Sequence, residues 1–164
     1  MIYINARAII ERQTERGVEI VIQSRRRPHR GIKELELPGG RIEEYESWVD
    51  ALAREVYEET GLRVVNIHGA ETRVEAIRTD ARIECLQPFA IFQTLEGPID
   101  ATGVYFRCTA TGKLLHEGDN TEKIRWVPVK QVAEWIQRNP DQFSLDLAGI
   151  IYYLKYIASV FIYM

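Results

Sequence analysis

The sequence predicts an α+β sandwich, with helices over a curved mixed sheet, and three observations carry that expectation. An acidic, amphipathic helix pattern at residues 47–60 is flanked on both sides by runs of β-branched and aromatic residues. Further helix signals come only near the end of the chain, opened by Pro128 and by Ser144. Strands and helices do not alternate regularly, which argues against a parallel α/β barrel. With 164 residues, 46% of them hydrophobic, and no low-complexity linker or internal repeat, the chain is expected to form a single domain over residues 1–164.

Strands are expected at residues 2–10, 18–23 and 34–37. Between the last two lies a basic run, Arg25, Arg26, Arg27, His29, Arg30 and Lys33 around Pro28. Such a run reads as a solvated loop or, from its place before a glycine turn, as a cleft rim where Arg25, Arg27 and Arg30 meet substrate phosphate oxygens. Pro38-Gly39-Gly40 then makes a compact turn in which a backbone carbonyl can approach a cation closely. In the helix that follows, Ser47 is the expected N-cap, with Asp50 three residues on, and Gly61 the left-handed stop. Val49, Leu52, Ala53 and Val56 form its apolar face. Strands follow at residues 62–76, 83–94, 103–109 and 123–127, then a helix at 128–137 ended by Asn139-Pro140. The last segment, residues 145–164, is apolar enough to raise a membrane span, but Asp146 and Lys155 interrupt it. Packing on the sheet is expected instead, with a homodimer contact through its tyrosines and isoleucines as a secondary use.

Glu55, Glu58 and Glu59 stand at i, i+3 and i+4, so their carboxylates are expected to share one helix face and converge. Like charges at that spacing repel, and a hard divalent cation removes the conflict: Mg²⁺ takes carboxylate oxygens, waters and substrate phosphates. Arg54 can hydrogen-bond the neighbouring carboxylates and orient them. A solvated acidic helix would explain the charges but not the paired glycines, Glu46 and Arg54 at fixed offsets. Glu46, at the helix entrance, reads equally as a cap of backbone groups.

Residues 40–62 fill every position of the pattern G-x5-E-x7-R-E-U-x-E-E-x-G-U, where U is aliphatic, with Gly40, Glu46, Arg54, Glu55, Val56, Glu58, Glu59, Gly61 and Leu62. This is the Nudix box, and the sequence resembles the Nudix hydrolase family. The resemblance implies a Nudix fold, an α/β/α sandwich, and hydrolysis of the phosphoanhydride of a nucleoside di- or triphosphate or other nucleoside diphosphate linked to a further group. It implies Mg²⁺ or Mn²⁺ held by Glu55, Glu58, Glu59 and the Gly39 carbonyl, with Glu55 or Glu58 as the base. Arg54 and Glu46 complete the catalytic set, and Glu58→Gln is expected to abolish most turnover. An acid outside the box often completes such sites; Glu96, Glu117, Asp119 and Glu122 are the candidates. Subclass markers are missing, since no proline or tyrosine lies near Arg78 and the coenzyme A signature is incomplete.

A net charge of -3 and a pI near 5.7 argue against a polymeric nucleic-acid partner. Cys85 and Cys108 both lie in strand-like runs and are expected to be buried structural thiols, and with no signal-peptide pattern a cytoplasmic location is the default. Trp48, Phe89, Phe92, Tyr105, Phe106 and Trp126 are expected in the core or, alternatively, as stacking surfaces for a base. Two other functions compete with hydrolysis: a nucleotide-sensing module of the same fold, which the intact acids argue against, and a prenyl diphosphate isomerase, for which no convincing cysteine and glutamate pair lies outside the box.

Overall fold

The structure is a computed structural model that describes residues 1–27 and 31–162. Its centre is a hairpin of two long strands, β1 (Tyr3–Thr14) and β2 (Gly17–Arg27), that pair only near the turn, from Glu11↔Ile20 to Thr14↔Gly17. Away from the turn the strands diverge, and β3 (Ile32–Glu36) and β4 (Gly39–Arg41) fill the gap. The first pairs with β2 and the second with β1, so the Leu37-Pro38 link sits in the crotch of the splayed hairpin. Helix α1 (Trp48–Thr60) follows, then β5 (Arg63–Ile67), β6 (Val74–Ile77), β7 (Arg82–Cys85), β8 (Ala90–Gln93), β9 (Ala101–Thr111), β10 (Glu117–Gly118) and β11 (Thr121–Pro128). Helices α2 (Val129–Arg138) and α3 (Leu147–Ile162) close the described chain.

The main sheet runs β10-β11-β2-β1-β9-β5, with β3, β4 and β8 alongside, and is mixed because β1 and β9 are parallel while the other pairs are antiparallel. Side-chain alternation builds the layers. Ala6, Ala8 and Ile10 of β1, Val21 of β2 and Val104, Phe106 and Cys108 of β9 pack with Ala51, Leu52 and Val56 of α1. The opposite parity, Ile9, Ile20, Ile22 and Tyr105, packs with Val132 of α2 and Ile150, Tyr153 and Ile157 of α3. The result is the α+β, α/β/α arrangement expected from sequence. The apolar C-terminal segment accordingly covers the sheet, and no helix among the described residues is long and apolar enough to cross a membrane.

Local signals place α1 as expected. Ser47 is extended at its N-cap, with Oγ accepting the Asp50 N–H at 3.1 Å, and Gly61 ends the helix at φ 79°. Four expectations are corrected. The long strand at residues 62–76 is two strands separated by a 3-10 turn (Ala70–Thr72), and the run at 83–94 divides into β7 and β8, with Pro88 removing a ladder donor between them. As a consequence β6 and β7 form a separate two-stranded hairpin off the main sheet, which leaves Cys85 exposed; only Cys108 is a buried thiol. Lys123, expected to begin a strand, instead sits at φ 51° in a register shift within β11.

Candidate active site

A cleft of about 330 Å³ opens where β1 and β2 part, lined by Arg7, Arg25, Arg27, Arg41, Glu55, Glu59, Asp119 and the Gly39–Gly40 backbone, among others. The glycines make it accessible. Gly39 sits at φ 143°, and a Cβ there would lie 2.3 Å from the Ala6 carbonyl. At Gly40 a Cβ would fall 2.5 Å from the Glu55 carboxyl, so that carboxylate rests directly against peptide backbone.

Arg54 organises the acids. Its Nε and Nη2 donate to the two oxygens of Glu46 at 2.7 and 2.9 Å, a fork-to-fork pair, while Nη1 donates to Glu55 at 2.8 Å. A longer contact, 3.5 Å, reaches Glu58, and Nη2 also donates to the Arg41 carbonyl. Arg54 holds the Glu46 carboxyl below the usual carboxylate range. Glu46 also accepts the Glu43 N–H at 2.9 Å. Of the two uses weighed for it, the observed contacts are backbone capping together with an ion pair.

Glu59 faces inward and is 2% exposed. It accepts Gln23 Nε2 at 2.6 Å, the Gly39 N–H at 3.0 Å and a guanidinium N–H of Arg25. Burial, and then the charge of Glu36, pushes its carboxyl up to about 7 against the opposing pull of Arg25 and Arg7. The three box carboxylates therefore do not converge as expected. Glu59 is drawn under the glycine turn, Glu55 lies along Arg54, and Glu58, nearly half exposed, stays outside the cleft lining. Glu59 has its own donors in Gln23, Arg25 and the Gly39 N–H, whereas Glu55 and Glu58 share Arg54 Nη1 at 2.8 and 3.5 Å. Among the described residues no group of three His, Cys, Asp or Glu side chains is arranged to hold a metal. The donor chemistry nevertheless fits a hard cation, because Glu55, Glu59 and a backbone turn left open by Gly40 share one cleft.

Arg25 and Arg27 reach the cleft as the sequence suggested, although Arg25 is also tied to Glu36 at 2.7 Å and Arg27 to Glu34 at 2.9 Å. Arg30 lies outside the described residues. Of the four acids outside the box, Asp119 alone lines the cleft, on the turn between β10 and β11 where its N–H meets the Glu58 carbonyl. Glu117 and Glu122 are paired with Arg26. None of the six aromatics named from sequence lines the cleft, where the aromatic present is Tyr3.

Beneath the cleft lies a buried polar network that sequence reasoning missed. Asp146, 2% exposed, accepts the Leu37 N–H at 2.9 Å and the Tyr105 hydroxyl at 2.8 Å, and Arg7 stands 3.7 Å away. Arg7 in turn donates to the Leu37 carbonyl at 3.1 Å and lies 3.7 Å from the fully buried Glu36. Burial opposes the Arg7 charge, but Asp146, Glu36 and Glu59 together raise its pKa. One signal was present: Arg7 and Glu36 are charges within strand patterns, and Asp146 interrupts an apolar run.

Comparisons with known proteins agree with this architecture. The family model described as NUDIX domain matches residues 2–147. No curated protein matches the chain. Among solved structures, a MutT studied from Aliivibrio salmonicida and Vibrio cholerae is 23% identical, with a TM-score of 0.56 over 82% of this chain and 86% of its own. The NUDIX domain of Shewanella oneidensis NrtR, complexed with ADP ribose, has a TM-score of 0.63 at 14% identity, covering 96% and 89%. A bifunctional NMN adenylyltransferase/ADP ribose pyrophosphatase from Francisella tularensis, complexed with AMP and a Mn ion, has a TM-score of 0.61 at 17% identity, over 95% of this chain and 42% of that one. With a complete box, the fold these structures share and a family model spanning most of its length, the chain belongs to the NUDIX domain family.

Proposed function

We propose that this protein hydrolyses the phosphoanhydride of a nucleoside di- or triphosphate, or of another nucleoside diphosphate linked to a further group, with Mg²⁺ or Mn²⁺. The observation that carries the reading is the pairing of opposite needs in one cleft: Glu55 and Glu59 for a cation, and Arg7, Arg25 and Arg27 for phosphate oxygens. Glu55, Glu59, the Gly39 carbonyl and, after a side-chain swing, Glu58 would hold the metal. When bound, the ion neutralises diphosphate charge and supplies a water of lowered pKa. Glu55, in the cleft and backed by Gly40, is the better placed of the two candidate bases. Arg54 orients Glu55, Glu46 fixes Arg54, and Arg25 and Arg27 steady the phosphates.

The test is incubation with Mg²⁺ or Mn²⁺ and a panel of nucleoside polyphosphates, nucleotide sugars and prenyl diphosphates, with products identified. Release of a phosphate-bearing product from nucleoside substrates, stopped by chelator, is expected. Binding without turnover across the panel would overturn the reading in favour of a nucleotide sensor. Asp119 is the acid proposed to complete the site from outside the box. Asp119→Asn should lower kcat at least tenfold or so, by analogy with the loss of one positioned acid, whereas Glu96→Gln should change it little. Equal rates for the two variants would remove Asp119 from the site.

A further inference from the structure

Tyr3, Asn5 and Arg7 alternate along β1 and all line the cleft, which extends the row of side chains beyond the Glu55–Glu59 region. β1 is flanked here on both sides: Asn5 registers with Arg41 of β4 and with Gly103 of β9, and Tyr3 with Ala101. Each neighbour has a distinct chemistry. The Arg41 guanidinium lies 3.5 Å from the centroid of the Tyr3 ring, and no carboxylate among the described residues pairs with it. Ile99 and Ala101 supply an apolar rim. Asn5 is only 8% exposed, and its carboxamide has no hydrogen-bond partner among the described residues.

A largely buried amide that lines the cleft without such a partner is free to hydrogen-bond a ligand there. We infer that Asn5, with the Arg41–Tyr3 stack, is the subsite that recognises the nucleobase of the substrate, and so sets specificity for nucleosides. The inference rests on the cleft taking a nucleoside diphosphate, as proposed above. A guanidinium plane lying on an aromatic ring offers its open face to a flat heterocycle, and the Asn5 amide supplies one acceptor and two donors to the edge of that heterocycle. A prenyl chain would leave the amide desolvated and unpaired. A bare phosphate chain has no use for a stacking surface or an apolar rim.

The test uses methylene-bridged diphosphates, which bind without being cleaved, carried on guanosine, adenosine, uridine and base-less ribose, with affinities measured by calorimetry in the presence of Mg²⁺. The wild-type protein is expected to bind at least one nucleoside analogue roughly tenfold more tightly than the base-less one, a factor of the size one good hydrogen bond supplies. Asn5→Ala should narrow that preference to about threefold or less with a melting temperature close to wild type, since no internal hydrogen bond is lost. Arg41→Gln, altering an exposed side chain, provides a second variant that does not depend on the buried position and should narrow the preference likewise. A wild-type protein without preference for a base, or variants that weaken both ligand classes equally, would overturn the assignment. Hydrolysis is scored separately on cleavable substrates, so base-dependent binding without turnover would sink the hydrolase reading and leave this one standing.

Discussion

Glu55→Gln is expected to lower kcat by roughly 10³-fold, within the range for loss of a positioned acid–base group, while the fold stays intact. Glu55 lies in the cleft against Gly40, and its hydrogen bond within the protein comes from Arg54 Nη1 at 2.8 Å. Glutamine preserves size and can still accept that bond, but it neither carries the charge a cation needs nor takes a proton from water. Arg54 remains anchored by its fork to Glu46 and by the Arg41 carbonyl, so helix and turn keep their geometry. The sequence alone pointed to Glu58→Gln as the disabling change. Its exposure and its long 3.5 Å contact with Arg54 make a smaller loss the expectation, about tenfold. Initial rates of phosphate or nucleotide release with Mg²⁺, alongside thermal melting, decide the order. A Glu55→Gln protein within about threefold of wild type would take Glu55 out of the chemistry altogether.

What was legible in the sequence was what depends on local spacing. Ser47, the apolar positions of α1 and Gly61 specify a helix of definite ends, and alternation in β1 and β9 specifies two buried faces. The box therefore identified the acids and the glycine turn correctly as neighbours. Which way each carboxylate points is set by residues distant in sequence. Gln23 and Arg25 draw Glu59 inward from a strand more than 30 residues earlier, and nothing in the box signals that pull. The divergence of β1 from β2, which makes the cleft, depends on residues 32–41 wedging between them and has no local signature. Of the aromatic residues, Tyr105 and Phe106 lie in the core, the first of the two readings their pattern allowed, while Tyr3, at the very start of β1 and without a local signal, is the ring in the cleft.

Asp146→Ala is expected to cost about 3 to 5 kcal/mol of unfolding free energy, the range for breaking a buried ion pair from one side. The carboxylate satisfies three groups that come from three separate elements: the Leu37 N–H in the crotch, the Tyr105 hydroxyl on β9 and the Arg7 guanidinium on β1. Truncation leaves a peptide donor and a phenol unpaired in the interior and removes one counter-charge from a buried guanidinium. Tyr105 is packed closely under α3, where a Cβ on Gly149 would fall 2.3 Å from its ring. Asp146→Asn keeps one acceptor oxygen and should lose less, since either the Leu37 N–H or the Tyr105 hydroxyl retains a partner. Urea unfolding at neutral pH measures both variants. The damage should also reach the site: Leu37 precedes Gly39 by two residues, so kcat/KM of the alanine variant, measured well below its melting temperature, should fall further than that of the asparagine variant. An alanine variant that loses less than about 1 kcal/mol would mean that Glu36 alone satisfies Arg7, and that the crotch of the sheet does not depend on α3.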